Sequence, residues 1–308
     1  MRIALIVGLV LLVVLVGIGA WLYAPDKPRA ELEARYLAAP TDYVEAAGVR
    51  LHVRDTGPRD APAVVMLHGF GSSLHTWEPW AQTLSATHRV IRFDLPGFGL
   101  TGADPTGDYT DARTVAMLGA LLDRLGVARA SVVGNSLGGK IAWMFAAKQP
   151  ERVDKLVLIS PDGFASRGFE YGKQSKVPWM LRLLPYVLPR ALLRASLAPA
   201  YADPARLTDD MVTRYSDMML APGVRQAIVD RTGQVLLQDP VPLLQRVTAP
   251  TLILWGRRDA MIPFANSADY LRALPDARLV ELPELGHVPQ EEAPERSIEE
   301  VAQFLRQR

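Results

Sequence analysis

The spacing of apolar residues changes several times along the chain, and each change predicts a different element. Ile3–Tyr23 runs 21 residues without a charge. As a helix it spans about 31 Å, enough to cross a bilayer core. Trp21 and Tyr23 stand at its far end, where amphipathic rings favour an interface. The run is longer than a signal-peptide core, and Gly19-Ala20 or Ala24 makes a poor cleavage site, so residues 1–24 are read as a retained transmembrane anchor. Residues 25–40 mix charged and apolar positions and predict a juxtamembrane linker with a short helix over Arg29–Ala38.

From residue 41 the pattern is that of a folded domain. Tyr43–Ala46 and Val49–Asp55 read as a hairpin around Ala47-Gly48. Ala63–Leu67, Arg89–Asp94, Ser131–Gly134 and Val153–Ile159 are apolar strand runs. Trp77–Ala86, Asp111–Leu125 and the stretch after Ser136 carry helical spacing between them. Strands that alternate with helices predict a mostly parallel sheet with crossover helices. The alternation stops over 161–244, where helical stretches such as Val177–Leu197, Asp209–Leu220 and Val224–Leu237 follow one another. This reads as a helical cap over the carboxyl ends of the strands, where open α/β sheets bind ligands. Thr251–Trp255, Phe264–Ala273, Arg278–Leu282 and Pro294–Arg308 restore the alternation. The expected architecture is therefore α/β with eight strands: core over 41–160, cap over 161–244, core resumed over 245–308.

Composition narrows the chemistry. The net charge of +1 and the lack of any Lys/Arg-rich run imply no nucleic-acid partner. The chain has no cysteine, which excludes disulfides, thiolate metal sites and a cysteine nucleophile. None of its five histidines forms an i, i+4 pair, so no metal site and no cofactor are expected.

Gly134-Asn135-Ser136-Leu137-Gly138 fits G-x-S-x-G between a strand and a helix. A Cβ at either flanking position would meet neighbouring backbone, so glycine permits the sharp turn that lifts the Ser136 hydroxyl off the sheet. A serine hydroxyl needs a base, and the base an orienting acid. His287 is the one histidine after Ser136 and follows a strand end. Asp259 follows Thr251–Trp255 and is the expected acid; Asp162, after Val153–Ile159, is the rival. Oxyanion donors are expected from the N–H groups of Leu137 and Phe70, the latter in the loop after Ala63–Leu67. His68 reads as a structural residue of that loop, and Asp94 with its following glycines as a tight turn.

The motifs HGFG (68–71), DLPGFG (94–99), GNSLGG (134–139), WGRRDAMIP (255–263) and GHVPQEEAPE (286–295) stand in one order across most of residues 43–308. In this the chain resembles capped members of the α/β-hydrolase superfamily. The resemblance implies the α/β-hydrolase fold, with Ser136 as nucleophile, Asp259 as acid, His287 as base, and Phe70 and Leu137 as oxyanion donors. With an anchor added, the whole resembles membrane-anchored bacterial lipases and phospholipases A of pseudomonads. The leading expectation is hydrolysis of carboxylic esters of lipid or acyl substrates through an acyl-enzyme. GNSLGG and LISPDGF (158–164) are also similar to carbon–carbon bond hydrolases of ring-fission products, the first alternative. A non-catalytic lipid binder is the second. The anchor implies a single-pass protein of a bacterial inner membrane with a periplasmic catalytic domain. Ala4-x-x-x-Gly8 and the linker helix allow a homodimer through residues 1–40.

Overall fold

The computed structural model describes residues 2–165 and 170–307, and in the first helix the side chains of 5–9, 12, 13, 16, 17 and 19–22. That helix, α1, spans Arg2–Leu22. Ala4 lies outside the described side chains, and the small-residue contact expected at Ala4-x-x-x-Gly8 falls outside them too. Among the described residues no helix is long and apolar enough to cross a membrane. The expected transmembrane anchor, and with it the inner-membrane, periplasm-facing placement, is therefore withdrawn.

Beyond α1 the chain lies against the folded domain. Tyr23 bridges Val187, and the Ala24 N–H donates to Tyr186 O at 2.8 Å. Helix α2 (Arg29–Tyr36) buries Leu32 and Tyr36 in the main core. Alternating charge along this segment signalled a solvated or surface helix, but two apolar side chains four residues apart suffice to dock one face.

The sheet has eight strands in the order β1-β2-β4-β3-β5-β6-β7-β8. They are β1 (Tyr43–Ala46), β2 (Val49–Thr56), β3 (Ala63–Leu67), β4 (Arg89–Phe93), β5 (Ala130–Asn135), β6 (Val153–Ile159), β7 (Thr251–Gly256) and β8 (Ala277–Leu282). β2 pairs antiparallel with β1 and β4; every other pairing is parallel. β3, β4, β5 and β7 are buried at every position, as parallel strands covered on both faces must be. Alternation decides which layer each residue enters. Val64 and Met66 pack with Trp77, Trp80 and Ile298. Val65 and Leu67 pack with Leu118, Ile141 and Phe145. The first layer contains α3 (Glu78–Leu84) and the C-terminal helix Pro294–Arg306; the second contains α4 (Asp111–Arg124) and α5 (Leu137–Lys148).

Register brings the parallel strands to a common edge. Leu67 aligns with Phe93 and Gly134, Asn135 with Ile159, and Ile159 with Leu254. Between β6 and β7 comes the helical insertion, with α6 (Arg190–Leu197), α7 (Asp209–Met219) and α8 (Val224–Gln234). The single helical stretch expected over Val177–Leu197 is instead a 3₁₀ turn at Trp179–Leu183 followed by α6. Pro185 and Pro189 interrupt it, since each lacks an N–H and clashes with the preceding turn.

Candidate active site

β5 ends at Asn135 and α5 begins at Leu137, so Ser136 alone makes the turn between them. It does so at φ 54° and ψ −120°, a conformation that costs a non-glycine residue about 1–3 kcal/mol and persists only where its surroundings impose it. The turn is tight enough that a Cβ at Gly134 would stand 2.3 Å from Gly138 O, and one at Gly138 2.1 Å from Leu67 O. Both contacts are with backbone, so neither position has room for a side chain.

The same closeness brings the loop after β3 over the start of α5. The position of a Cβ on Gly69 is 3.3 Å from Ser136 Cβ. The Phe70 N–H has no acceptor among the described residues, and Leu137, as the first residue of α5, has an N–H that an α-helix leaves without an intrahelical acceptor. Two N–H groups therefore flank the serine from two elements. His68 holds the loop. Its Nδ1 lies 2.8 Å from Gly69 O, and its Nε2 accepts from the Leu95 N–H at 2.9 Å. Those bonds fix the neutral tautomer protonated on Nδ1, and burial pushes the imidazole pKa down, in keeping with a structural role.

His287 follows β8. Its Nδ1 is 2.8 Å from Asp259 Oδ2. The other oxygen, Asp259 Oδ1, accepts from the Met261 and Ile262 N–H groups at 2.8 Å each. The carboxylate is thus held on both sides, and its side chain is fully buried. The carboxylate of Asp162, the rival acid, makes no hydrogen bond to His287 among the described residues; its backbone N–H donates to Ser136 O, and its carbonyl accepts from Trp143 Nε1 and Tyr270 Oη. His287 is tied to the serine turn through Asn135, whose Nδ2 donates to His287 O at 2.9 Å and to Ile159 O at 3.1 Å. The cap grips the same loop, because the His287 N–H donates to Ala200 O at 2.8 Å.

Asp94 is more than the turn residue expected from sequence. Fully buried, it accepts from the Leu74 and Leu100 N–H groups and lies 2.8 Å from His52 Nδ1. Burial opposes its charge, but the facing His52, His68 and His75 hold its pKa down at about 2. It thereby ties β2, the turn that begins at Leu74 and the loop at Leu100 to one another.

Two cavities, the first lined by Ser136, share Phe70 and Pro178 in their walls. One, of about 350 Å³, contains Ser136 and Leu137 with the charged side chains of Asp111, Lys140, Asp162, Lys176 and Arg231. The other, of about 590 Å³, lies under the cap against Leu181, Leu184, Leu188, Leu193 and Ile228. Arg231 and Asn135 were not singled out by sequence. Asn135 sits inside the serine motif; Arg231 is one basic residue in a polar helix and carries no local signal.

A family model described as alpha/beta hydrolase fold matches residues 62–294. The 2-hydroxy-6-oxo-6-phenylhexa-2,4-dienoate hydrolase of Burkholderia cepacia is 31% identical over 249 residues, covering 77% of this chain and 85% of that protein. Among solved structures, the meta-cleavage product hydrolase of Pseudomonas fluorescens IP01 superposes with a TM-score of 0.72 at 26% identity, covering 85% of this chain and 96% of that one. A membrane phospholipase A superposes with a TM-score of 0.70 over 99% of this chain and 98% of its own; at 24% identity this is a likeness of fold.

Proposed function

The chain belongs to the α/β-hydrolase family, and from that premise we propose that it is a serine hydrolase that cleaves a carbon–carbon bond next to the ketone of a 2-hydroxy-6-oxo dienoate. The observation that carries this reading is a pair of neighbouring cavities, one with Ser136 and several charged side chains in its wall and the other apolar. Such a substrate has a carboxylate at one end and an apolar group on the ketone at the other. Its scissile carbonyl then falls between the two. The dienoate hydrolase from Burkholderia cepacia lends support through its similarity over most of this chain.

In this mechanism His287 Nε2 takes the proton of Ser136 as its Oγ attacks the ketone carbon. Asp259 keeps the imidazole proton on Nδ1 and stabilises the imidazolium. The oxyanion lies against the N–H groups of Phe70 and Leu137, each such donor contributing about 10²–10³ in rate. Collapse breaks the carbon–carbon bond. This requires the 2,6-dioxo tautomer, in which the 2-hydroxyl proton has moved to C5; the electron pair then passes from C5 to the 2-oxo oxygen, which takes the proton from His287 to give the 2-hydroxydienoate. Water, deprotonated by His287, then hydrolyses the acyl-enzyme and frees a carboxylic acid and Ser136. Carboxylic-ester hydrolysis is the second reading. It is favoured by the almost wholly apolar 590 Å³ cavity, which suits an acyl chain.

The test is turnover of 2-hydroxy-6-oxo-6-phenylhexa-2,4-dienoate, followed by loss of its visible absorption and by benzoate release, alongside 4-nitrophenyl butyrate. We expect dienoate cleavage, lost in Ser136→Ala. Ester turnover without dienoate cleavage moves the conclusion to the second reading; turnover of neither refutes both.

A further inference from the structure

Glu292 is a buried acid whose partners are backbone groups. It ends the short helix Pro289–Glu292 that follows His287, and it is 4% exposed. Its two oxygens face two N–H groups: Oε2 accepts from Gly286 at 2.7 Å and Oε1 from Asp203 at 2.8 Å. Gly286 immediately precedes the proposed base, and Asp203 belongs to the cap. Burying a carboxylate is costly unless its oxygens are hydrogen-bonded. An ionised acceptor makes such bonds roughly twice as strong as a neutral one. A carboxylate is also acceptor-only, so it alone can face both donors without presenting an N–H of its own to either.

The rest of the His287 backbone is bonded to the cap and to the serine turn. Its N–H donates to Ala200 O, and its carbonyl accepts from Asn135 Nδ2. The cap comes too close here for a side chain at 286, since a Cβ on Gly286 would stand 2.7 Å from both Ala200 O and Ala202 N. Residues 200–203 of the cap thus lie against the base loop, and Glu292 is bonded to both. Glu292 is in the wall of neither cavity. Any part it has in catalysis therefore goes through His287.

We propose that Glu292 is a positioning residue for the base. Its Oε2 fixes the backbone at Gly286, and with it the point from which the His287 ring reaches Asp259 and Ser136. Its Oε1 makes that setting depend on the cap. What acts is the placed acceptor and not the negative charge. The proposal rests on the reading of Ser136 and His287 as nucleophile and base, and not on the choice of substrate.

The rate at which a fluorophosphonate labels Ser136 reads nucleophile and base together and needs no particular substrate. Glu292→Ala removes both acceptors and is expected to slow labelling by about 10²-fold, the cost of a misplacement near 1 Å. Glu292→Gln keeps the length of the side chain. Its oxygen stays on the buried Gly286 N–H, because Asp203 is exposed and its N–H can turn to water; labelling is expected to fall only a few-fold. Glu292→Asp keeps the charge but is one methylene short, and is expected to fall between the other two. The low-field proton resonance of the His287–Asp259 bond should follow the same order, sharp in the Gln variant and broadened or lost in the Asp and Ala variants. If Glu292→Ala does not fold, the order of Gln and Asp decides. An Asp variant as fast as the Gln variant overturns the proposal, because charge would then be what acts, and so does an Ala variant that labels at the wild-type rate. Asp217→Asn loosens the cap at α7 with no bond to 286–288; a slowing there as large as in Glu292→Ala would assign the loss to the cap as a whole and also overturn the proposal. A wild type that is not labelled refutes Ser136 and His287 as a pair, and the proposal with it. The expected order without dienoate turnover refutes the proposed reaction alone.

Discussion

Replacing Asp259 by asparagine changes one atom and creates a conflict whose size follows from the bonds around it. Asp259 Oδ1 accepts two backbone N–H groups, and Oδ2 faces His287 Nδ1. An amide placed with its oxygen toward Met261 and Ile262 turns its NH₂ toward His287. The imidazole must then accept at Nδ1 and bear its proton on Nε2, where it can no longer serve as base to Ser136. The opposite amide orientation restores the histidine but points the NH₂ at two N–H donors. Leaving two buried donors unpaired costs about 2–6 kcal/mol, equivalent to roughly 30-fold to 10⁴-fold in rate. The wrong-tautomer route costs about 10⁴. Whichever orientation wins, kcat is expected to fall by about 10²–10⁴, with KM little changed because no substrate contact is touched. Steady-state turnover of the dienoate or of 4-nitrophenyl butyrate measures this, with circular dichroism as a check that the variant is folded. A folded variant that retains more than a tenth of wild-type kcat refutes the assignment of Asp259, and a larger loss in Asp162→Asn would move the role there.

Gly138→Ala should abolish activity and lower Tm. Its Cβ would come within 2.1 Å of Leu67 O and 2.6 Å of His68 O, both backbone, so the loop bearing Phe70 has to shift; normal turnover at unchanged Tm would contradict the packing described. Stability should fall on acidification below about pH 6.5. Burial pushes the His75 pKa down to about 3, so between those values the unfolded chain binds a proton that the folded chain refuses, and the slope of stability with pH is positive. The loss is on the order of a few kcal/mol by pH 3, and His75→Gln should flatten it in urea melts recorded across that range. Asp217→Asn should loosen the N-terminal segment. Asp217 is buried on α7 and bonded to Tyr36, Arg35 and Lys27, but two of these partners are half-exposed and screened, so about 1–3 kcal/mol is expected. Limited proteolysis after Arg29 or Arg35 should accelerate in that variant, and an unchanged rate would argue against the tie.

The parts of the fold legible in the sequence were those set by local periodicity. β3, β5 and β7 are continuous apolar runs because helices cover both faces, and all eight expected strands form within a few residues of the expected bounds. The turn at Ser136 was legible because only glycine fits at 134 and 138, a steric demand that sequence displays directly. What stayed hidden depends on partners remote in the chain. Asp94 reads as one polar residue before a glycine-rich turn, yet its partners lie at 52, 74 and 100. Glu291 reads as one of two surface acids, yet it is bonded to Arg214 and Tyr201 of the cap.

The N-terminal segment shows the same limit from the other side. Its uncharged run predicted a helix, and α1 is one, but what a helix adjoins is not a property of its own sequence. The residues that follow make the point. Lys27, Arg29 and Arg35 look like a cationic collar beside an anchor. In the structure they answer specific groups: Lys27 and Arg35 reach Asp217 on the cap, and Arg29 donates to Leu100 O at the edge of the site. Asp26 likewise meets Arg225 of α8, the helix that also carries Arg231. A charge spaced along a chain carries no address; its partner supplies one. Asp217 and Arg225 belong to the cap helices α7 and α8, and Leu100 to the core, so the segment that looks like a linker is bonded to both.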